Sequence, residues 1–261
     1  MRLGFAGMGN MAFAIVQGAL SAGAIDPSSI AAYDPKPDKI GLLEEQGLAN
    51  VRVESLAALA EVSDILVLSI KPHIVEAVVS ELGDALAGKA VLSIALGWRY
   101  DELERMLPAS ARWQSIMPNT PMEVGEGVCI FEARGCFSEE EHHFVTSLFR
   151  AIGMVEVYPT PLMKAAGTLT GCGPAFTYVY IEALADAAVY HGVPRADAYR
   201  LAAQTVLGAA KMVLETGLHP GQLKDNVCSP GGSTIRGIAA LEERGFRSTV
   251  IDAIRTIEGT K

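Results

Sequence analysis

A short run near the C-terminal end of the chain combines the groups that bind a small carboxylate. Residues 228–235 read CSPGGSTI. Pro230 ends any preceding helix, two glycines let the backbone approach a ligand closely, and a new apolar-periodic segment then begins. A helix that starts there presents free backbone N–H groups, the positive end of its dipole and two hydroxyls. The residues predicted to bind the carboxylate are Gly231, Gly232, Ser233 and Thr234.

A second run, at the N-terminal end, has the spacing of a dinucleotide-binding loop. Residues 7–12 read GMGNMA and fit the pattern G-x-G-x-x-[G/A] between an apolar run and a helical stretch. The first glycine makes the tight turn, the second admits the pyrophosphate, and Ala12 lets the helix approach the sheet. The predicted phosphate contacts are Gly7, Met8, Gly9, Asn10 and Met11. A nucleotide at one end and a small acid at the other indicate a reductase.

The choice of cofactor rests on two residues that follow the second predicted strand. Asp34 lies 22 positions after Ala12, where a carboxylate accepts hydrogen bonds from a ribose diol and repels a 2′-phosphate. Lys36 lies two residues further on and could instead pair with that phosphate. We favour NADH and leave NADPH open.

Two later strand ends are expected to line the same crevice, because ligands bind beyond the carboxyl ends of parallel strands, and a rigid turn after the next strand is a third candidate segment. They are residues 69–73 (SIKPH), 95–97 (ALG) and 117–121 (MPNTP). In the last of these, an asparagine either contacts the cofactor or only satisfies the turn. The predicted cofactor contacts in these segments are Ser69, Lys71, Pro72, Ala95, Gly97 and Asn119.

Alternating elements up to Pro159 must position these loops. Apolar runs alternate with amphipathic stretches, which predicts right-handed βαβ units and a doubly wound, Rossmann-type sheet with helices on both faces. Ser138 and Glu141 have capping-box spacing at the start of one helix. The predicted strands are 2–6, 30–33, 65–70, 90–95 and 113–117, with edge strands at 128–131 and 154–158.

After Pro159 the chain is rich in alanine and leucine, with long helices predicted at 163–191 and 196–216. We therefore predict a dinucleotide-binding domain over 1–159 and an all-helical domain over 160–261. A helix pair that is apolar on several faces cannot bury itself alone. We expect this helix pair to pack against a second copy of the chain, which gives a homodimer that could assemble into a higher homo-oligomer. The alternative is that the helix pair packs against the sheet domain of its own chain.

Composition limits the remaining function classes. The 261 residues are 50% apolar and 20% charged, and the net charge of −9 argues against a nucleic-acid or anionic-membrane partner. Four cysteines follow no metal-ligand or disulfide spacing, so we predict no metal site and free thiols in a reducing cytoplasm. Glycines interrupt the N-terminal apolar stretch, and we expect neither a signal peptide nor a membrane span.

These motifs together resemble the pyrroline-5-carboxylate reductase family. The similarity covers nearly the whole chain, and the Pro-Gly-Gly-[Ser/Thr]-Thr run is its most specific part. The other matching segments are 7–12, 67–73, 117–121, 171–176 and 241–247. The resemblance implies a Rossmann domain followed by a helical dimerisation domain. It also implies reduction of 1-pyrroline-5-carboxylate to L-proline by hydride transfer from NADH or NADPH.

The resemblance further implies roles for individual residues. Thr234 would hydrogen-bond the ring nitrogen as the catalytic residue, while the turn before it holds the substrate carboxylate. That turn would serve the cofactor of its own chain or that of the partner. Pro174 would bend or restart the long helix. Cys172 stands where serine is usual in the family, and Ser233 where threonine is common.

Two other functions remain in competition. One is a β-hydroxyacid dehydrogenase or another imine reductase on a similar fold; the former pairs a lysine with an asparagine one helical turn later, whereas here Thr168 follows Lys164. The other is a non-catalytic dinucleotide sensor, which has no need of a carboxylate-binding turn. Turnover with the cyclic imine distinguishes the three.

Overall fold

The computed structural model describes residues 1–48 and 50–259. Its N-terminal part is a seven-stranded sheet with the order β2-β1-β3-β4-β5-β6-β7. The strands are β1 (Leu3–Ala6), β2 (Ile30–Tyr33), β3 (Ile65–Leu68), β4 (Ala90–Ser93), β5 (Arg112–Met117), β6 (Gly127–Gly135) and β7 (Gly153–Tyr158). The helices of this part are α1 (Asn10–Ser21), α2 (Asp38–Glu45), α3 (Leu56–Val62), α4 (Val75–Leu82), α5 (Tyr100–Glu104) and α6 (Glu139–Ala151).

The first five strands are parallel, as the sequence predicts, and β5 pairs with β6 in antiparallel fashion. β1 lies between β2 and β3, so the chain reverses its direction of winding beside β1. That reversal opens a crevice at the carboxyl ends of β1 and β3, which is where open α/β sheets bind their ligands. The fold class predicted from the sequence is confirmed.

Both faces of the sheet are covered by apolar helix surfaces. One cluster includes Ile15 and Phe149, and the other includes Val79 and Leu103. Burying this many apolar side chains, at about 25 cal/mol per Å², is the main stabilisation available to the sheet. β3 reads ILVL and is buried throughout, as expected for a strand covered on both faces.

The capping box predicted at Ser138 is confirmed, and it is tied to the sheet. The Ser138 hydroxyl accepts the Glu141 N–H, and the Glu141 carboxylate accepts the Ser138 N–H. Arg112 on β5 donates to both oxygens of the same carboxylate. Burial opposes ionisation of Glu141, but the bonds to Arg112 and Ser138 outweigh it and lower the pKa of this carboxyl.

The helical part contains α7 (Thr160–Tyr190), α8 (Arg195–Thr216), α9 (Pro220–Asn226), α10 (Ser233–Glu243) and α11 (Phe246–Glu258). Its buried cluster is small and consists of Ala185, Ala198 and Ala202. Large apolar side chains stay exposed on the single chain: Tyr178, Val179, Leu201, Leu207, Leu214 and Ile251 are examples. This surface has the character that the sequence predicts for a region covered by another subunit.

Of the two alternatives for Pro174, a bend or a restart, the restart is excluded, because α7 continues through this residue as the helix predicted over 163–191 implies. A bend at Pro174 stays a prediction. Proline has no N–H, so the carbonyl of Thr170, four residues earlier, lacks its usual helical donor. The Asn119 side chain donates Nδ2–H to that carbonyl at 3.0 Å. An amide from the loop after β5 thus replaces the missing helical bond.

By compactness, the chain divides into residues Met1–Gly171 and Cys172–Lys261, within α7. Composition instead changes at Pro159, and the 1–159 and 160–261 domains remain a prediction. Over residues 1–48 and 50–259, no helix has the length and apolarity needed to cross a membrane. The same residues contain no group of three or more His, Cys, Asp or Glu side chains that could hold a metal ion.

Candidate active site

The loop after β1 has the tight turn that the glycine motif predicts. Gly7 has a φ of +93°, and a Cβ placed there would lie 2.7 Å from the carbonyl oxygen of Ser69. The Gly7 N–H donates to the Tyr33 carbonyl at 2.8 Å. Both the backbone conformation and the lack of space therefore require glycine at this position.

The second glycine of the motif leaves room for a ligand. A Cβ placed on Gly9 would meet no atom within 4 Å. Gly9 is the N-cap of α1 and supplies no side-chain cap, so the first-turn amides lack a side-chain acceptor there. Ala12 is buried under the sheet face. The arrangement provides an open helix N terminus of the type that binds phosphate.

One predicted phosphate contact already has a partner within the chain. The Met8 N–H donates to Asp34 Oδ2 at 2.8 Å, and the Met8 side chain is buried. The other carboxylate oxygen of Asp34 accepts the Lys36 N–H at 2.8 Å. Asp34 is thereby held beside the glycine loop by two backbone donors. A contact between Met8 and the cofactor stays a prediction.

The loop after β3 braces the glycine loop. The Ser69 hydroxyl lies 2.6 Å from the Gly7 carbonyl oxygen and 3.0 Å from that of Ala6, so it donates within the protein. Lys71 is exposed, and its ammonium has no hydrogen-bond or ion-pair partner among the described residues. Pro72 opens a short 3₁₀ turn over Pro72–Ile74. A free cation at this strand end suits a phosphate or carboxamide oxygen.

The loop after β4 forms a turn of its own. Gly97 has a φ of +85°, and the Trp98 N–H donates to the Ala95 carbonyl at 3.1 Å. Ala95 is buried, whereas Leu96 at the tip is 63% exposed. The backbone at the tip of this turn is therefore accessible at the same edge of the sheet as the glycine loop.

The structure gives Asn119 a position that the sequence left undecided. Its side chain is 5% exposed, its Nδ2–H donates to Thr170, and its Oδ1 accepts the Val128 N–H at 2.7 Å. The amide therefore joins the loop after β5, strand β6 and helix α7. A further contact from Asn119 to the cofactor stays a prediction.

Residues 229–234, here called the diglycine turn, lie in the second compact unit and form the start of α10. The Gly232 N–H donates to the Ser229 carbonyl at 3.0 Å, and Gly231 has a φ of +67° with no atom near an added Cβ. Gly232 is the N-cap and supplies no side-chain cap. Ser233 and Thr234 are exposed, and their hydroxyls form no hydrogen bond among the described residues. These groups are available to a carboxylate.

The buried Cys129 does not have the environment of a nucleophile. Burial raises the pKa of the Cys129 thiol well above its ordinary value, which keeps it neutral. Cys172 and Cys228 are half-buried and free of disulfides. The groups present therefore suit binding and orientation for hydride transfer rather than covalent catalysis.

Sequence reasoning missed two residues whose side chains connect segments that are distant in the sequence. The Trp98 indole donates Nε1–H to the Pro72 carbonyl at 2.9 Å. Glu132, 2% exposed, accepts the Tyr100 N–H at 2.8 Å and the Thr160 hydroxyl at 2.5 Å. An aromatic residue directly after a strand-end turn could have drawn attention to Trp98. No local pattern marks Glu132, because its partners lie far away in the sequence.

Two family models match the chain. Residues 160–259 match the model described as pyrroline-5-carboxylate reductase dimerisation, and residues 2–97 match that of NADP oxidoreductases described as coenzyme F420-dependent. The second match covers only the nucleotide-binding half. The first carries a dimerisation domain, and with it the expectation of a homo-oligomer.

Full-length relatives agree with the first model. The chain is 43% identical over 254 residues to a pyrroline-5-carboxylate reductase of Escherichia coli, covering 97% of this chain and 94% of the relative. It is 41% identical to the pyrroline-5-carboxylate reductase of soybean (Glycine max), over 97% of this chain and 92% of the relative. A Plasmodium falciparum pyrroline carboxylate reductase, solved with NADP bound, superposes with a TM-score of 0.88 at 32% identity, covering 98% of this chain and 95% of that one.

The glycine loop with its open helix N terminus, the second open N terminus at α10 and the full-length similarity agree with one another. The resemblance carried by the sequence motifs is thus confirmed at the level of the family. This chain belongs to the pyrroline-5-carboxylate reductase family of NAD(P)H-dependent oxidoreductases.

Proposed function

We propose that this chain reduces the cyclic imine 1-pyrroline-5-carboxylate to L-proline, with NADH or NADPH as the hydride donor, in the last step of proline biosynthesis. The observation that carries the proposal is the N terminus of α10, which has no side-chain cap and is followed by an exposed hydroxyl on Thr234, in a chain that aligns over 97% of its length with such a reductase. The substrate is a five-membered ring that bears one carboxylate and one C=N bond.

The dinucleotide binds at the carboxyl edge of the sheet. Gly9 and the first-turn amides of α1, where the structure leaves space and an uncompensated dipole, would hold its pyrophosphate. Lys71 supplies a cation from the loop after β3, and the turn at residues 95–97 lines the nicotinamide half. The absence of an acidic side chain from the first turn of α1 favours this placement.

The substrate carboxylate binds the amides at the start of α10, over residues 231–234. The Thr234 hydroxyl hydrogen-bonds the ring nitrogen. A bound reduced nicotinamide would supply the hydride to the imine carbon and be oxidised to NAD(P)⁺; the C=N bond would become a C–N single bond, and the nitrogen would take a proton. That proton comes from water or through Thr234. Orientation supplies most of the lowering of the barrier, since no covalent intermediate is required.

Asp34 favours NADH over NADPH. Its carboxylate is fixed by the Met8 and Lys36 amides at the end of β2, the position from which an acidic side chain meets the adenosine ribose. A 2′-phosphate brought to this position meets a negative charge. Lys36 is exposed beside it and offsets part of that repulsion.

The functional form is a homodimer, and higher assembly stays open. The exposed apolar side chains of the helical part are a surface that a second copy would bury. Free cysteines and an acidic net charge of −9 suit a cytoplasmic enzyme. We propose no partner beyond the small-molecule substrate, the cofactor and further copies of the chain.

Turnover tests the proposal directly. Purified protein is mixed with NADH or NADPH and 1-pyrroline-5-carboxylate, and the loss of reduced cofactor is followed with formation of proline. We expect turnover with both cofactors and a higher kcat/KM with NADH. Cofactor binding without turnover would support the sensor instead. Oxidation of a β-hydroxyacid with NAD⁺, without imine reduction, would support the dehydrogenase.

A further inference from the structure

A single side chain joins two of the loops at the cofactor edge. The Trp98 indole donates Nε1–H to the Pro72 carbonyl at 2.9 Å. Trp98 ends the turn after β4, which includes Ala95 and Gly97, and Pro72 lies in the loop after β3, which includes Lys71. The bond thus connects two chain segments that the proposed function assigns to one dinucleotide.

The indole is held firmly enough to act as a connector. Its own backbone N–H closes the turn by donating to the Ala95 carbonyl at 3.1 Å. The ring is half-buried and packs against the apolar cluster that contains Val75 and Leu103. Two aromatic χ angles fixed by packing cost little further entropy when the hydrogen bond forms.

The bond is additional to those that build the local fold. The Pro72 carbonyl already accepts the Val75 N–H within the 3₁₀ turn. Loss of the indole donor therefore leaves that turn with its backbone bond, and the acceptor is not left unsatisfied. What is lost is the connection between the two loops.

Trp113 provides the contrast. It is the other of the two tryptophans in the chain, it lies on β5, and it is 7% exposed. Its Nε1 is buried without a hydrogen-bond partner among the described residues. Trp113 therefore serves packing alone, whereas Trp98 both packs and connects.

We propose that Trp98 is a positioning residue for the dinucleotide. Its indole bond holds the loop at 69–72 and the turn at 95–98 at a fixed spacing before the cofactor arrives, so that less conformational freedom is lost on binding. The inference rests on the proposed function, because it needs the cofactor to lie across both loops. Trp98 acts through these loops and takes no part in hydride transfer.

The test removes only the indole N–H. Trp98→Phe keeps an aromatic ring without the donor, and Trp113→Phe is the matched control. One hydrogen bond corresponds to a change of about threefold to tenfold, so Trp98→Phe raises the Kd and KM of the reduced cofactor by that factor. The kcat and the substrate KM change by less than about twofold, because Trp98 acts through the cofactor loops and takes no part in hydride transfer. Hydrogen exchange becomes faster at the backbone amides of residues 69–71, 73, 74 and 95–99.

A second change at Trp98 keeps a bicyclic aromatic ring of the same size and removes only the N–H donor. In Trp113→Phe, Trp98 is the single tryptophan, and biosynthetic replacement by benzothienylalanine exchanges its N–H for sulfur. The same rise in cofactor Kd is expected, with an unchanged unfolding midpoint. If both changes at Trp98 give the same cofactor Kd and the same hydrogen-exchange rates in the two loops as Trp113→Phe, the positioning role is overturned and the proposed function is unaffected. If the unaltered chain binds neither reduced cofactor, both are overturned.

Discussion

The glycine loop at 7–12 and the diglycine turn at 229–234 offer the same chemistry but are built differently. Each begins a helix whose N-cap residue is a glycine, so no side chain caps the first-turn amides. The glycine loop is enclosed by its own chain: Tyr33 and Ser69 bond to Gly7, and Asp34 bonds to Met8. The diglycine turn has one backbone bond, from Gly232 to Ser229, and exposed hydroxyls.

The difference teaches how each segment acquires order. The glycine loop is shaped by packing within one folded unit, so its conformation does not depend on a ligand. The diglycine turn gains little from its own chain, and its helix α10 has no buried residue in the single subunit. We expect ligand binding and a second subunit to supply what the chain does not.

The largest expected effect is at the enclosed glycine. In Gly7→Ala the new methyl group would meet the Ser69 carbonyl at 2.7 Å with a φ of +93°. We expect a loss of roughly 3 kcal/mol or more in unfolding free energy, and of cofactor binding with it. Thermal unfolding and cofactor titration measure both losses.

Gly9→Ala is the control for that change, since its methyl group enters open space. We expect the unfolding free energy to change by less than about 0.5 kcal/mol, while the cofactor Kd rises because the pyrophosphate meets the methyl group. Equal destabilisation by the two variants would contradict the view that the loop is shaped by packing at Gly7.

The next effect is at the exposed hydroxyl. Thr234→Ala removes the hydrogen bond that we propose to the ring nitrogen, and we expect kcat/KM for the imine to fall by about 10- to 100-fold, the range of a bond to a charged group. Cofactor Kd and unfolding midpoint stay unchanged, because the side chain is exposed. Thr256→Ala, which also removes an exposed helical hydroxyl from this unit, is the control. A comparable loss of cofactor affinity in Thr234→Ala would show that its role is misassigned.

Cofactor choice gives an intermediate effect. Asp34→Asn keeps an oxygen acceptor for the Met8 N–H while removing the charge. We expect the ratio of kcat/KM for NADPH to that for NADH to rise by about tenfold, the equivalent of about 1.4 kcal/mol of relieved repulsion. Asp34→Ser should shift the ratio in the same direction. Asp38→Asn, an exposed acid nearby, should leave the ratio unchanged. A constant ratio in Asp34→Asn would place the ribose elsewhere.

The smallest effect is expected at Gly231, in the diglycine turn. Gly231→Ala adds strain at a φ of +67° in open space, which costs about 1 kcal/mol. Gly217→Ala has the same strain at a φ of +64° in the same unit and serves as the control. Only Gly231→Ala should also raise the substrate KM. An unchanged KM would remove this turn from the substrate site.

The sequence by itself determined the order of elements, the parallel sheet, the capping box at Ser138 and the two glycine segments. Each of these depends on local properties: hydrophobic period, glycine spacing and side-chain capping. These local signals also suffice to indicate the family, because the residues of each motif are close together in the sequence.

Only the tertiary structure decided how the loops are held. The Trp98–Pro72 bond spans 26 residues, the Met8–Asp34 bond 26, and the Asn119–Thr170 bond 51. The helix predicted over 163–191 runs through Pro174, but the donor that replaces the missing helical bond, the Asn119 amide, is distant in sequence. Such bonds depend on which strand ends meet at one edge of the sheet, and no local pattern of residues contains that information.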